Sequence, residues 1–172
     1  MNCAADEYRV LVIGCGNPLR GDDGLGPRAA ELLLADPPPA TRIVSCHQLL
    51  PEMTEMLSAA ALAIVIDACV EGPAGTIRCQ PVSLPPGDAG DPSPKPSLLG
   101  HHLELASLLH LAQTFFGHAP AAMTLSVGAG SFDFSEELSG PVAASLPLLL
   151  DRIRRIITEH CAPTERRLAC TA

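Results

Sequence analysis

Short apolar runs alternate with amphipathic segments along this chain. Apolar runs, most of them rich in β-branched residues, predict five strands, at residues 8–14, 41–46, 62–66, 76–82 and 123–127. Helical spacing of apolar residues predicts four helices, from Asp22 or Asp23 to about residue 35, and at about 51–60, 101–116 and 141–160. Strands that alternate with helices indicate an α/β fold with a largely parallel sheet.

The chain has 172 residues, which is enough for one domain with a sizeable core. We expect residues 1–172 to form that single domain, with a frayed tail at 161–172. Residues 83–100 are rich in proline and predict a long loop. A loop of this length is uncommon in a compact domain unless it acts as a lid or a binding element.

Composition narrows the possible partners. The 19 acidic residues outnumber the 11 basic ones, and the chain has no Trp, so we expect no nucleic-acid binding. No apolar stretch is long enough to predict a membrane span. The seven cysteines include no C-x-x-C pair and lie in or beside apolar runs, which is typical of reduced thiols. These features predict a cytoplasmic protein.

A glycine-rich segment, GCGNPLRGDDGLG at 14–26, follows the first predicted strand. It lacks the third glycine of a dinucleotide-binding turn, because Leu19 stands at that position, and no Gly-Lys-Ser/Thr follows. Asp22 and Asp23 would also repel a pyrophosphate. The segment therefore suits a cation better than a nucleotide.

Two carboxylates and an imidazole are the candidate metal ligands. Asp23 follows the first strand, Asp67 follows the third, and His101 opens the helix after the proline-rich loop. In an open α/β sheet such positions converge beyond the carboxyl ends of the strands. Together they would suit a divalent transition metal.

Each of these residues also has a structural interpretation. Asp22 is expected to be a helix N-cap, which leaves Asp23 for chemistry. Asp67 could be a turn residue, and His102 competes with His101. Glu104 lies one helical turn after His101, where it could orient that imidazole or simply be solvated.

A nucleophilic cysteine is a weaker alternative. Cys15 lies between two glycines at a strand end, but no base can be paired with it in the sequence. The chain also lacks an H-E-x-x-H zinc motif and a G-x-S-x-G nucleophile elbow. A small hydrolase that uses Cys15 would lose activity on thiol alkylation.

Several motifs, in order, resemble those of the hydrogenase maturation endopeptidases. They are VIGCGNPLRGDDGLG (12–26), IVIDA (64–68), PAGTI (73–77), HHLELA (101–106) and LSGPV (138–142). The resemblance covers nearly the whole chain. It implies a three-layer α/β/α sandwich around a mixed, mostly parallel five-stranded sheet.

The resemblance also implies a function. Members of that family remove a C-terminal extension from the large-subunit precursor of nickel–iron hydrogenases after nickel insertion. Asp23, Asp67 and His101 would then be both the catalytic and the metal-contacting residues, and the nickel would come with the precursor. A non-catalytic nickel-binding maturation chaperone is the alternative that the same residues would serve.

Overall fold

The described residues form five strands and four α-helices, in the order that the apolar pattern predicts. The structure is a computed structural model that describes residues 8–83 and 100–161, without the side chains of residues 100–103. The strands are β1 (Val10–Cys15), β2 (Thr41–Cys46), β3 (Leu62–Cys69), β4 (Ile77–Val82) and β5 (Ala121–Gly128). The helices are α1 (Leu25–Ala35), α2 (Thr54–Ala59), α3 (Gly100–Phe116) and α4 (Gly140–Cys161).

The strands form one sheet in the order β2-β1-β3-β5-β4. All neighbouring pairs are parallel except β4 and β5, which are antiparallel, so β4 is an antiparallel edge strand. The prediction of a mixed, mostly parallel five-stranded sheet is confirmed.

Helices cover both faces of the sheet, and the alternation of side chains along β1 shows how. Val10 and Val12 belong to the core beneath α1 and α4, whereas Leu11, Ile13 and Cys15 belong to the core beneath α2 and α3. Because both faces are covered, all six residues of β1 are buried, as is typical of a central parallel strand.

Two element boundaries differ from the predictions in ways that affect the site. A short 3₁₀ helix over Gly21–Gly24 precedes α1, so neither aspartate lies in the α-helix. β3 continues to Cys69, so Asp67 lies inside the strand rather than after it. A second 3₁₀ helix, Pro51–Met53, likewise precedes α2.

Two other predictions fall on residues that are not described. The proline-rich loop predicted at 83–100 and the tail predicted at 161–172 lie almost wholly outside the described residues. Within the described part of the chain, no helix is both long and apolar enough to cross a bilayer.

Candidate functional site

The sheet has a topological switch point between β1 and β3. The chain leaves β1 to form β2 on one side and later returns to form β3 on the other side of β1. The connections therefore diverge at the carboxyl ends of β1 and β3, and a crevice at such a point is the usual place for a ligand in open α/β sheets. Asp23 follows β1, and Asp67 lies near the end of β3.

Two glycines bring α1 against the ends of these strands. A Cβ on Gly26 would lie 2.1 Å from the carbonyl oxygen of Cys15 and 2.7 Å from that of Ile66. A Cβ on Gly14 would in turn lie 2.2 Å from the carbonyl oxygen of Gly26. Since these neighbours are backbone atoms that cannot move aside, the glycines permit a helix–sheet approach that other residues would prevent.

The turn after β1 holds Asp23. Gly16 has φ +130°, and a Cβ there would lie 1.9 Å from the carbonyl oxygen of Asp23. The backbone N–H of Asn17 donates to Asp23 Oδ2 at 3.0 Å. These contacts hold the carboxylate of Asp23 beside the carboxyl end of β1. Asp23 is half-buried there.

Asp67 lies near the end of β3, the middle strand of the sheet, and is buried, with 8% of its surface exposed. It pairs in register with Ser126 of β5. The 3₁₀ helix that carries Asp23 packs against β3. The elements that carry the two predicted carboxylates thus lie in contact at the switch point.

His101, the third predicted ligand, and its competitor His102 have side chains outside the described part of the structure. Their helix, α3, begins at Gly100. Among the side chains that are described, no group of three His, Cys, Asp or Glu residues is placed to hold a metal ion. The assignment of Asp23, Asp67 and His101 as a metal-contacting set therefore stays a prediction.

The chemistry of the two described carboxylates fits a hard or borderline divalent cation. Asp23 accepts a hydrogen bond from the backbone of its own turn, which orients the side chain. Asp67 is buried, so a cation beside it would meet little competition from water. With an imidazole from the start of α3, the donors would be oxygen and nitrogen, a set that nickel accepts.

Cys15 does not have the environment of a nucleophile. Its Sγ lies 3.5 Å from the Sγ of Cys46 on the neighbouring strand, and the side chain is fully buried. The hydrogen bond with Cys46, burial, and the nearby charges of Asp67 and Glu104 all raise the pKa of the Cys15 thiol. Because the thiolate is the reactive form, this environment opposes the cysteine-hydrolase alternative.

The predicted role of Asp22 as a helix N-cap is wrong. No side chain caps the 3₁₀ helix or α1. Instead the fully buried carboxylate of Asp22 accepts hydrogen bonds from the loop between β5 and α4. The donors are the backbone N–H groups of Gly130 (2.6 Å), Ser131 (3.0 Å) and Ser139 (2.7 Å) and the hydroxyl of Ser139 (2.8 Å).

These hydrogen bonds favour the ionised form of Asp22. Burial raises its pKa, but the donors from Ser139, Gly130 and Ser131 more than offset that effect and hold the pKa below its ordinary value. The ionised carboxylate of Asp22 therefore holds the 130–139 loop, through these hydrogen bonds, beside the turn that carries Asp23. Sequence reasoning missed this role because no local pattern links Asp22 to residues more than 100 positions away.

The described cysteines agree with the prediction of reduced thiols, and two described histidines lie in surface or packing positions. His118 contacts the carbonyl oxygen of Ala60, and His110 is exposed on α3. The structure describes five of the seven cysteines, and none of the five forms a disulfide.

Solved structures of hydrogenase maturation proteases share this fold. The hydrogenase-maturating endopeptidase HybD from E. coli is 24% identical, with 90% of this chain and 94% of that one aligned at a TM-score of 0.72. The HycI maturation protease from Thermococcus kodakarensis is 22% identical over 90% and 95% of the two chains, with a TM-score of 0.64. A hydrogenase 2 maturation peptidase from a Thaumarchaeota archaeon is 24% identical over 87% and 98%, with a TM-score of 0.63.

No family model and no curated protein matches the sequence. These structures are each below 25% identical to this chain, and they establish the fold, which is that of the hydrogenase maturation proteases across most of the chain.

Proposed function

We propose that this protein is an endopeptidase that removes the C-terminal extension of a nickel–iron hydrogenase large-subunit precursor after nickel insertion. One observation carries the proposal. The fold of the maturation proteases extends over about nine-tenths of both chains, and Asp23 and Asp67 lie at its switch point, where ligands bind in such sheets.

Nickel belongs to the substrate in this proposal. The precursor would present its own metal to the crevice between β1 and β3, and the carboxylates of Asp23 and Asp67, with the imidazole of His101, would contact it. A precursor without nickel would leave these two carboxylates without a cation. Metal loading would thus be checked before cleavage.

Peptide hydrolysis needs a water to attack the scissile carbonyl and a proton for the leaving amine. A divalent metal can polarise a carbonyl or lower the pKa of a bound water. The contribution of this chain is to hold the precursor in place. The N–H of Asn17 orients Asp23, and Asp67 belongs to β3. Neither residue therefore needs to reorganise when the precursor binds.

The five described cysteines form no disulfide, which agrees with action in the cytoplasm, where thiols persist.

The decisive experiment compares nickel-loaded and nickel-free precursor. Each is incubated with the protein, and intact mass spectrometry measures the C-terminus of the large subunit. Loss of the extension from the loaded form alone supports the endopeptidase. If the loaded precursor binds and keeps its extension, the non-catalytic chaperone accounts for the protein instead.

A further inference from the structure

A groove of about 820 Å³ lies next to the candidate site. Its walls are the turn after β1, the first turns of α1, and the segment that leads into α4. Apolar side chains contribute much of the lining, namely Pro18, Leu19, Pro27, Leu138 and Leu146. Gly24, which directly follows Asp23, also lines the groove, so one end of it lies beside the candidate site.

The rim of the groove is acidic. Glu136 and Glu137 are exposed on one side, and neither forms an ion pair with any residue that the structure describes. On the other side Glu31 pairs with Arg28. Three carboxylates and one guanidinium leave a net charge of −2 around an apolar floor.

The groove is preformed. The backbone N–H of Gly21 donates to the carbonyl of Ser135 at 2.7 Å, and the N–H of Ser135 donates to that of Leu19 at 3.1 Å. Asp22 ties Ser139 to the same turn. Because these bonds already join the two walls, binding in the groove would require little ordering of the protein.

From this combination we infer that the groove binds an extended segment of the large-subunit precursor in which Lys or Arg stands among small and apolar residues. The inference rests on the proposed function and adds the chemistry of the partner. The apolar floor suits aliphatic side chains, and the carboxylates that lack ion pairs suit a cationic one. The same rim would repel a nucleic acid or an anionic lipid surface.

The test replaces both rim carboxylates in one variant, Glu136→Lys/Glu137→Lys, in the full chain. The control variant, Glu52→Lys/Glu55→Lys, makes the same change of charge at exposed positions near α2, on the other face of the sheet. The affinity of each protein for the nickel-loaded precursor is measured by calorimetry at two salt concentrations. Cleavage kinetics are measured in parallel by intact mass.

We expect the rim variant to bind the precursor about tenfold more weakly than the wild type and to show a matching rise in KM, with kcat within about twofold. The control variant should match the wild type. Added salt should weaken the wild type more than the rim variant, because screening removes an attraction that the variant has already lost.

Equal affinity of the wild type and the rim variant would overturn the inference, even if both cleave normally and the proposed function stands. Binding without cleavage by the wild type would count against the proposed function, and the affinities would still decide the role of the groove. A wild type that does not bind the precursor would overturn both.

Discussion

The carboxylate of Asp22 binds Ser139, 117 residues later in the chain, through both the backbone N–H and the hydroxyl of that serine. This contact joins the turn after β1 to the residue that precedes α4. It also fixes one wall of the acidic groove. Asp22 thus supports the neighbourhood of the candidate site without being a candidate ligand itself.

Replacing Asp22 should destabilise the protein substantially. Asp22→Ala leaves the N–H groups of Gly130, Ser131 and Ser139 without their acceptor, and we expect a loss of about 3 kcal/mol in the free energy of unfolding. Urea denaturation measures the change. Asp151→Ala removes an exposed carboxylate from α4 and should cost less than about 0.5 kcal/mol. Similar losses in the two variants would contradict the role assigned to Asp22.

The ionised carboxylate of Asp22 should also make part of the stability of the fold sensitive to acid. The pKa of Asp22 is lower in the folded protein than its ordinary value of about 3.9. Its ionised form therefore stabilises the fold above that pH, and the stabilisation is lost as the pH falls through the folded-state pKa. We expect the difference in Tm between the wild type and Asp22→Asn to shrink from pH 6 to pH 3. A difference in Tm that stays constant over this range would contradict a stabilising role for ionised Asp22.

Gly26→Ala tests the close approach of α1 to the strand ends. The new methyl group would overlap backbone atoms of Cys15 and Ile66, so we expect a loss of more than about 3 kcal/mol or failure to fold. Gly140→Ala is the matched control, because a Cβ there meets nothing within 4 Å. Thermal unfolding and soluble yield should separate the two variants clearly, and a stable Gly26→Ala protein would disprove the tight contact.

Cys15 is predicted to be dispensable for cleavage. The raised pKa and full burial of its thiol should make it among the slowest cysteines to react with iodoacetamide, as followed by peptide mass spectrometry. Cys15→Ala should keep most of the cleavage activity. Rapid alkylation of Cys15 that abolishes activity would restore the cysteine-hydrolase alternative.

The strands and helices were largely predictable from sequence, because they follow from local apolar patterns. β2 begins and ends at the predicted residues, Thr41 and Cys46. The extent of β3 was not predictable in this way. Its last residues are held by pairing with Val127 and Gly128 of β5, a contact between distant segments that the run from Leu62 does not reveal.

The candidate site was predictable only in part. The placement of Asp23 and Asp67 near neighbouring strand ends followed from the general geometry of parallel sheets. The role of Asp22 and the acidic groove could not be predicted in this way, because both depend on the 130–139 loop folding back onto the turn after β1. Sequence-local reasoning assigned Asp22 to a cap because a carboxylate before a helix usually has that role.

We propose that the carboxylates of Asp23 and Asp67 are needed for metal-dependent cleavage of the precursor. The most direct measurement is the intact mass of nickel-loaded precursor after incubation with the wild type, Asp23→Asn or Asp67→Asn, each with its Tm recorded. We expect the wild type to remove the C-terminal extension, and both variants to stay folded and leave it in place. Full cleavage by both folded variants would show that neither carboxylate is needed.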